Sequence, residues 1–282
     1  MPRRLLPLIA LVLLGTPLHA LGEKKDPEGF QKHIDAANAA YRERRFADAV
    51  RSAEAALERK PDYSLGWTLL GYSRFYARPE DPEPALGAFD EALRLDPKNF
   101  RAWHGRGLVL NTQRRFEEAA RSVERACELE PRRGNHWHLL GLARLYNQEP
   151  EAALAAFERL IALRPERPDA HRLKGVALFD LGRYDAALAA FDEALRLDPK
   201  ADDAWMSRGS CLVKLGRFEE ALRSYDRALA SNPLSPKGLY NRAVALDGLG
   251  RPDEAKQSLR KALAVQADYP EARQLLAQLE AR

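Results

Sequence analysis

From Phe30 to the last residues, apolar and polar positions follow helical spacing, and no run of alternating Val, Ile and Thr offers a strand. The clearest sample is Ala85–Lys98, ALGAFDEALRLDPK, which returns at Ala187–Lys200 as ALAAFDEALRLDPK with one difference in fourteen residues. Phe89 and Phe191 stand on the apolar face of this element, and Asp90-Glu91 and Asp192-Glu193 stand on the solvated face. Asp96-Pro97 and Asp198-Pro199 end it, because the ring of a proline pushes the preceding residue out of helical geometry. A duplicated set of acids raises the question of acid chemistry. Their placement makes them surface and stop residues of an amphipathic helix instead.

The two copies lie 102 residues apart, three periods of 34. Pro61, Pro97, Pro131, Pro165, Pro199 and Pro233 are spaced by 36, 34, 34, 34 and 34. Trp67, Trp103, Trp137 and Trp205 are spaced by 36, 34 and 68. Two rare residue types that share one period define a repeating unit. Cutting at that period gives seven units, 30–63, 64–99, 100–133, 134–167, 168–201, 202–235 and 236–269. Each holds two amphipathic stretches around a turn, marked in later units by Gly182, Gly216 and Gly250, so each is predicted to be a helical hairpin. In the remaining segment, 270–282, Ala272, Leu275, Leu276 and Leu279 share one face, while Glu271, Arg273, Gln278 and Glu280 share the other. That pattern predicts a helix capping the last open end.

The units resemble the tetratricopeptide repeat, whose W-x2-L-G…A-x3-F…P pattern has this period. Trp67, Leu70, Gly71, Ala85, Phe89, Ala92 and Pro97 carry it in the second unit, and Trp137, Leu140, Gly141, Ala153, Phe157 and Pro165 in the fourth. The third, fifth and sixth units match through Trp103, Gly107 and Pro131, through Gly175, Phe191 and Pro199, and through Trp205, Gly209, Tyr225 and Pro233. At the ends the fit loosens, with His33 and Ala37, then Leu239 and Ala243, where Trp and Gly are expected. The resemblance covers about 240 of the 282 residues. It implies an all-α fold, a right-handed α-solenoid of seven hairpins plus the C-terminal capping helix.

Charged residues make up 30% of the chain and hydrophobic ones 45%, too apolar for a disordered protein. Residues 1–22 read as an export signal: Arg3-Arg4 precede the apolar run Leu5–Leu14, and Ala20 and Gly22 supply small residues for cleavage. Ten helical residues rise only about 15 Å against a hydrocarbon core of about 30 Å. Extending the run to Leu21 takes in Thr16, Pro17 and His19, so an uncleaved membrane anchor is the weaker alternative. No Cys stands near the cleavage region to carry a lipid. Residues 23–29 then form a linker, and the mature chain is expected in the periplasm or outside the cell, with no membrane attachment after cleavage. The net charge of +4 falls to +2 without Arg3 and Arg4, and signs alternate along the chain, which argues against nucleic acid as partner.

Motifs for metal, nucleotide or nucleophilic chemistry are absent, including H-E-x-x-H, C-x-x-C, G-x-S-x-G and G-x-x-x-x-G-K-[ST]. His104 and His138 hold one slot in adjacent units, about 8–10 Å apart and too far to share a metal, and are expected on a polar surface. Cys127 and Cys211 fall at apolar slots and are predicted to be free, buried thiols. No cofactor and no enzymatic activity are expected. The resemblance implies instead a scaffold that binds a protein or peptide partner in a groove lined by the first helices. The groove candidates are Asn38, Tyr41, Thr68, Tyr72, Phe75, Tyr76, His104, Asn111, His138, Tyr146, Arg172, Phe179 and Tyr240. Tyr72, Phe75 and Tyr76 stand out, since three large aromatics on one turn exceed what a core needs. The Lys/Asn set with which some repeats of this family grip a chaperone's C-terminal carboxylate is missing; Val176 takes the place of its Asn. Two alternatives remain at this level: an interaction subunit that recruits a catalytic partner in an envelope complex, and a membrane-anchored adaptor if the signal is retained.

Overall fold

The computed structural model describes residues 29–282, so the predicted signal at 1–22 and nearly all of the 23–29 linker lie outside the described residues. Every regular element within them is an α-helix. The chain divides into two bodies, Met1–Asn147 and Gln148–Arg282. The first holds α1 (Phe30–Arg42), α2 (Phe46–Arg59), α3 (Ser64–Ala77), α4 (Glu83–Leu95), α5 (Phe100–Thr112), α6 (Phe116–Leu129) and α7 (Gly134–Tyr146). The second holds α8 (Pro150–Leu163), α9 (Pro168–Asp180), α10 (Tyr184–Leu197), α11 (Asp202–Lys214), α12 (Phe218–Ser231), α13 (Pro236–Gly248), α14 (Pro252–Val265) and α15 (Pro270–Glu280).

In each body successive helices pack as hairpins, and each second helix also packs on the first helix of the next hairpin. First helices touch one another as well, α1 with α3, α3 with α5 and α5 with α7 in the first body, α9 with α11 and α11 with α13 in the second. The fold class is therefore all-α, built of stacked helical hairpins of the α-solenoid type.

Three local devices explain why this sequence folds so. The helices of a hairpin approach closely because a glycine faces an aromatic ring: a Cβ at Gly175 would stand 2.6 Å from Phe191, inside any tolerable contact. The turn closes with a residue in the left-handed region, and the next N–H bonds back to the carbonyl five residues earlier, as in Arg183 to Leu178 at 2.9 Å and Arg115 to Leu110 at 3.0 Å. Gly182, Gly216 and Gly250 take that position without steric cost, whereas Arg44 and Arg114 adopt it with φ of 61° and 63°. Finally, the indole N–H of each Trp donates to a proline carbonyl six residues earlier: Trp67 to Pro61 (2.7 Å), Trp103 to Pro97 (2.9 Å), Trp137 to Pro131 (2.8 Å) and Trp205 to Pro199 (2.9 Å). The two periodic residue types are the two ends of one hydrogen bond. In the fifth unit, which has His171 in place of the Trp, His171 Nε2 meets Pro165 O at 2.8 Å in the same slot.

Units are also tied by a repeated guanidinium bridge. Arg208 donates to Asp192 of the preceding unit (2.6 Å) and to Ser224 of its own (2.8 Å). Arg106 with Asp90 and Ser122, and Arg242 with Asp226 and Ser258, reproduce it at the same sixteen-residue offsets. Both cysteines are free and buried, as their slots predict. Burial pushes the Cys127 thiol up to about 12 and the Cys211 thiol up to about 11, so neither is a nucleophile near neutrality. The α15 helix sets Ala272 and Leu279 into the core of the second body, with Leu275 and Leu276 packed beside them.

Candidate functional site

The first helices position the candidate residues, and the structure sorts them by depth. Tyr41, Thr68, Tyr72, Phe75 and His104 are buried, with Tyr72 6% and Phe75 2% exposed. This corrects the expectation that they line an open groove. The cause is the contact between neighbouring first helices: residues facing along the stack are covered by the next helix of the layer. Tyr72 shows it directly. Its hydroxyl donates to the Arg101 carbonyl at 3.0 Å and lies 3.2 Å from His104 Nδ1. Its ring packs edge-on against Phe89, with centroids 5.0 Å apart. Thr68 is held in a similar buried network, accepting from Asn99 Nδ2 at 2.8 Å, while Asn99 Oδ1 caps α5 at the Ala102 N–H.

His104 is likewise no surface residue. Its ring meets that of His136 with centroids 5.0 Å apart, and the His136 Nδ1 is buried without a hydrogen-bond partner. Burial above all, then the charges of His138 and Arg133, lower the His104 pKa to about 4. Burial, then His104 and Arg133, lower that of His136 to about 3. Both rings are neutral over the physiological range.

The remaining candidates stay accessible in part. Asn38, Tyr76, Asn111 and His138 in the first body, and Arg172, Phe179 and Tyr240 in the second, are half-buried. Tyr146 is 52% exposed. Two of these rings are supported by residues that the sequence reading did not select. Phe46 stacks on Tyr76 at 5.2 Å and 25°, and Phe116 stacks on Tyr146 at 5.2 Å and 27°. Phe46 and Phe116 each open a second helix, and their slot is aromatic again at Tyr184 and Phe218, which was the available signal. In the second body, Arg172 lies at an open depression of about 470 Å³ lined also by Asp169, Asp198, Asp202 and Asp203. Among the described residues, no group of three or more His, Cys, Asp or Glu is placed to hold a metal ion. No described helix is long and apolar enough to cross a membrane.

Two family models for the tetratricopeptide repeat match the chain, one over residues 34–80, 76–133, 138–202 and 177–236 and the other over 212–279. The chain belongs to the tetratricopeptide repeat family, whose members are generally non-catalytic scaffolds suited to protein–protein interaction. The cell division cycle protein 27 homolog of Caenorhabditis elegans is 32% identical over 79 residues, 28% of this chain and only 10% of that protein's length. Among solved structures, PilW, described as a widely conserved type IV pilus biogenesis factor, is similar with a TM-score of 0.66 at 21% identity, over 76% of this chain and 98% of its own. A tetratricopeptide repeat protein from Parabacteroides merdae has a TM-score of 0.63 at 16% identity, over 90% and 99%. YrrB, described as a TPR protein with an unusual peptide-binding site, has a TM-score of 0.56 at 22% identity, over 67% and 97%. At these identities the likeness to the three structures is one of fold.

Proposed function

We propose that the chain is a non-catalytic interaction scaffold, exported to the cell envelope or secreted, which holds a peptide segment or helix of a partner protein against its first helices. The observation that carries the docking reading is Tyr146, which is 52% exposed yet stacked flat on Phe116. A ring fixed in advance by another ring offers contact area at little further cost in side-chain entropy. YrrB and PilW agree with this reading in kind, one described by a peptide-binding site and the other by a role in pilus biogenesis. The export reading is supported by the basic leader, apolar run and small residues within 1–22.

Capture of partners from an envelope extract by the purified full chain tests the docking reading. Tyr146→Ala is expected to lower recovery of the specific partner about tenfold, the loss of one anchoring aromatic, without moving the thermal midpoint. An unchanged partner set at unchanged recovery overturns it. In the same preparation, the mature N-terminus is expected at Leu21 or Glu23; an intact Met1 in the membrane fraction overturns cleavage.

A further inference from the structure

Many guanidinium groups of the first body are tied to carboxylates, as Arg106 is to Asp90 and Arg115 to Glu118. At one edge two guanidinium groups instead meet over a single aromatic ring. Phe100 opens α5, and the guanidinium carbons of Arg101 and Arg133 lie 4.7 and 4.6 Å from its ring centroid. The two positive charges are therefore within about 9 Å of each other. Among the described residues no carboxylate pairs with Arg101. Arg133 approaches Glu130 only to 3.7 Å, too far for a hydrogen bond, and its Nε is buried without any hydrogen-bond partner.

Burial and then the neighbouring charge of Arg133 lower the pKa of Arg101, and Tyr72, Glu130 and Tyr63 offset only part of that. A guanidinium resting on an aromatic face leaves its in-plane N–H groups to bond a planar acceptor, and with its Nε buried Arg133 offers the terminal Nη groups. Both side chains remain partly exposed, Arg133 at 35%. The neighbouring His104 and His136 rings are neutral and add no charge of their own.

We propose that the Arg101–Phe100–Arg133 edge of the first body binds acidic side chains on an extended segment of the partner protein. The proposal rests on the scaffold reading and names the chemistry of the segment it would hold. Two positive charges no more than about 9 Å apart suit one or two carboxylates, and Glu130 at their margin opposes a densely charged phosphate backbone more than an isolated carboxylate, so a sparsely acidic peptide fits better than a nucleic acid.

Fluorescence anisotropy with the full chain tests it, using a labelled decapeptide that carries two Glu residues, its Gln counterpart and a single-stranded oligonucleotide of equal length. The Glu peptide is expected to bind about tenfold more tightly than the Gln peptide at low salt, as a charge-assisted bidentate contact requires. That preference should vanish in Arg101→Gln/Arg133→Gln and survive in part in Arg101→Lys/Arg133→Lys. It should also survive in Arg42→Gln/Arg114→Gln, which removes the same charge from exposed turns of the same body. Equal affinities for the Glu and Gln peptides, an equal loss in the Arg42/Arg114 variant, or tighter binding of the oligonucleotide would overturn the proposal. If the Glu preference is absent while Tyr146→Ala still releases the partner, the scaffold reading stands and the acidic specificity falls.

Discussion

His104 and His136 sit in adjacent first helices with their rings 5.0 Å apart, shielded from water and flanked by Tyr72, Arg133 and His138. An unfolded chain protonates each ring near pH 6.5, whereas the folded chain withholds protons until about 4 for His104 and about 3 for His136. Above pH 6.5 neither ring changes the stability, because both states carry it neutral. As the pH falls below 6.5 the unfolded state binds protons that the folded state refuses, so stability drops until the folded values are passed. The slope reaches about 1.4 kcal/mol per pH unit for each ring. Urea melts at pH 7, 6 and 5 should show a falling midpoint, and His104→Gln/His136→Gln should flatten that fall. A midpoint that stays constant from pH 7 to 5 would show that these rings are solvated. Sequence alone placed His104 on a polar surface, since the 34-residue period does not say that His136 turns back toward it.

At the scale of the element, the turns between paired helices were readable because their chemistry is local. A left-handed residue after the first helix wants glycine, and Gly182, Gly216 and Gly250 mark three of these turns. Arg114 occupies the same backbone position at φ 63° with a side chain that makes it costly. Arg114→Gly is therefore expected to stabilise the protein by about 0.5–1 kcal/mol, the relief of left-handed strain less the extra entropy of a glycine in the unfolded chain. The mirror change Gly216→Ala should destabilise it by about 1 kcal/mol. Chemical denaturation of the two variants beside the wild type checks both signs, and a destabilising Arg114→Gly would mean that the Arg114 side chain makes a compensating contact. The helix stops were equally legible. Pro97 and Pro199 end their helices, and the same carbonyls accept the Trp indole bonds that hold the next helix in place. What the period could not reveal was the support given to Tyr76 and Tyr146 by Phe46 and Phe116, since each partner comes from a neighbouring unit.

Across the whole molecule, a stacked array has an end that some element must cover, and α15 covers it in the second body. Leu279 is 1% exposed and Ala272 is fully buried, joined to the same core as Leu246 and Leu259. Stopping the chain after residue 269 would uncover that surface. A loss of at least about 2 kcal/mol is expected from Leu279 alone, with increased binding of a hydrophobic dye; a truncated chain with the full urea midpoint would refute the capping role. The sequence by itself determined the period, the hairpins and the slots that pack them. Each of those constraints (a proline stop, a glycine against a ring, a Trp six residues after the carbonyl that accepts its indole N–H) acts within a single 34-residue unit or its immediate edge. Only the tertiary structure decided which first-helix residues remain open. Tyr72 is closed off by His104, 32 residues on, while Arg101 and Arg133, from the two ends of the third unit, share the ring of Phe100. The depth and direction of side chains that distant in the sequence are set by how neighbouring helices pack, and a repeat pattern that treats every unit alike does not encode them.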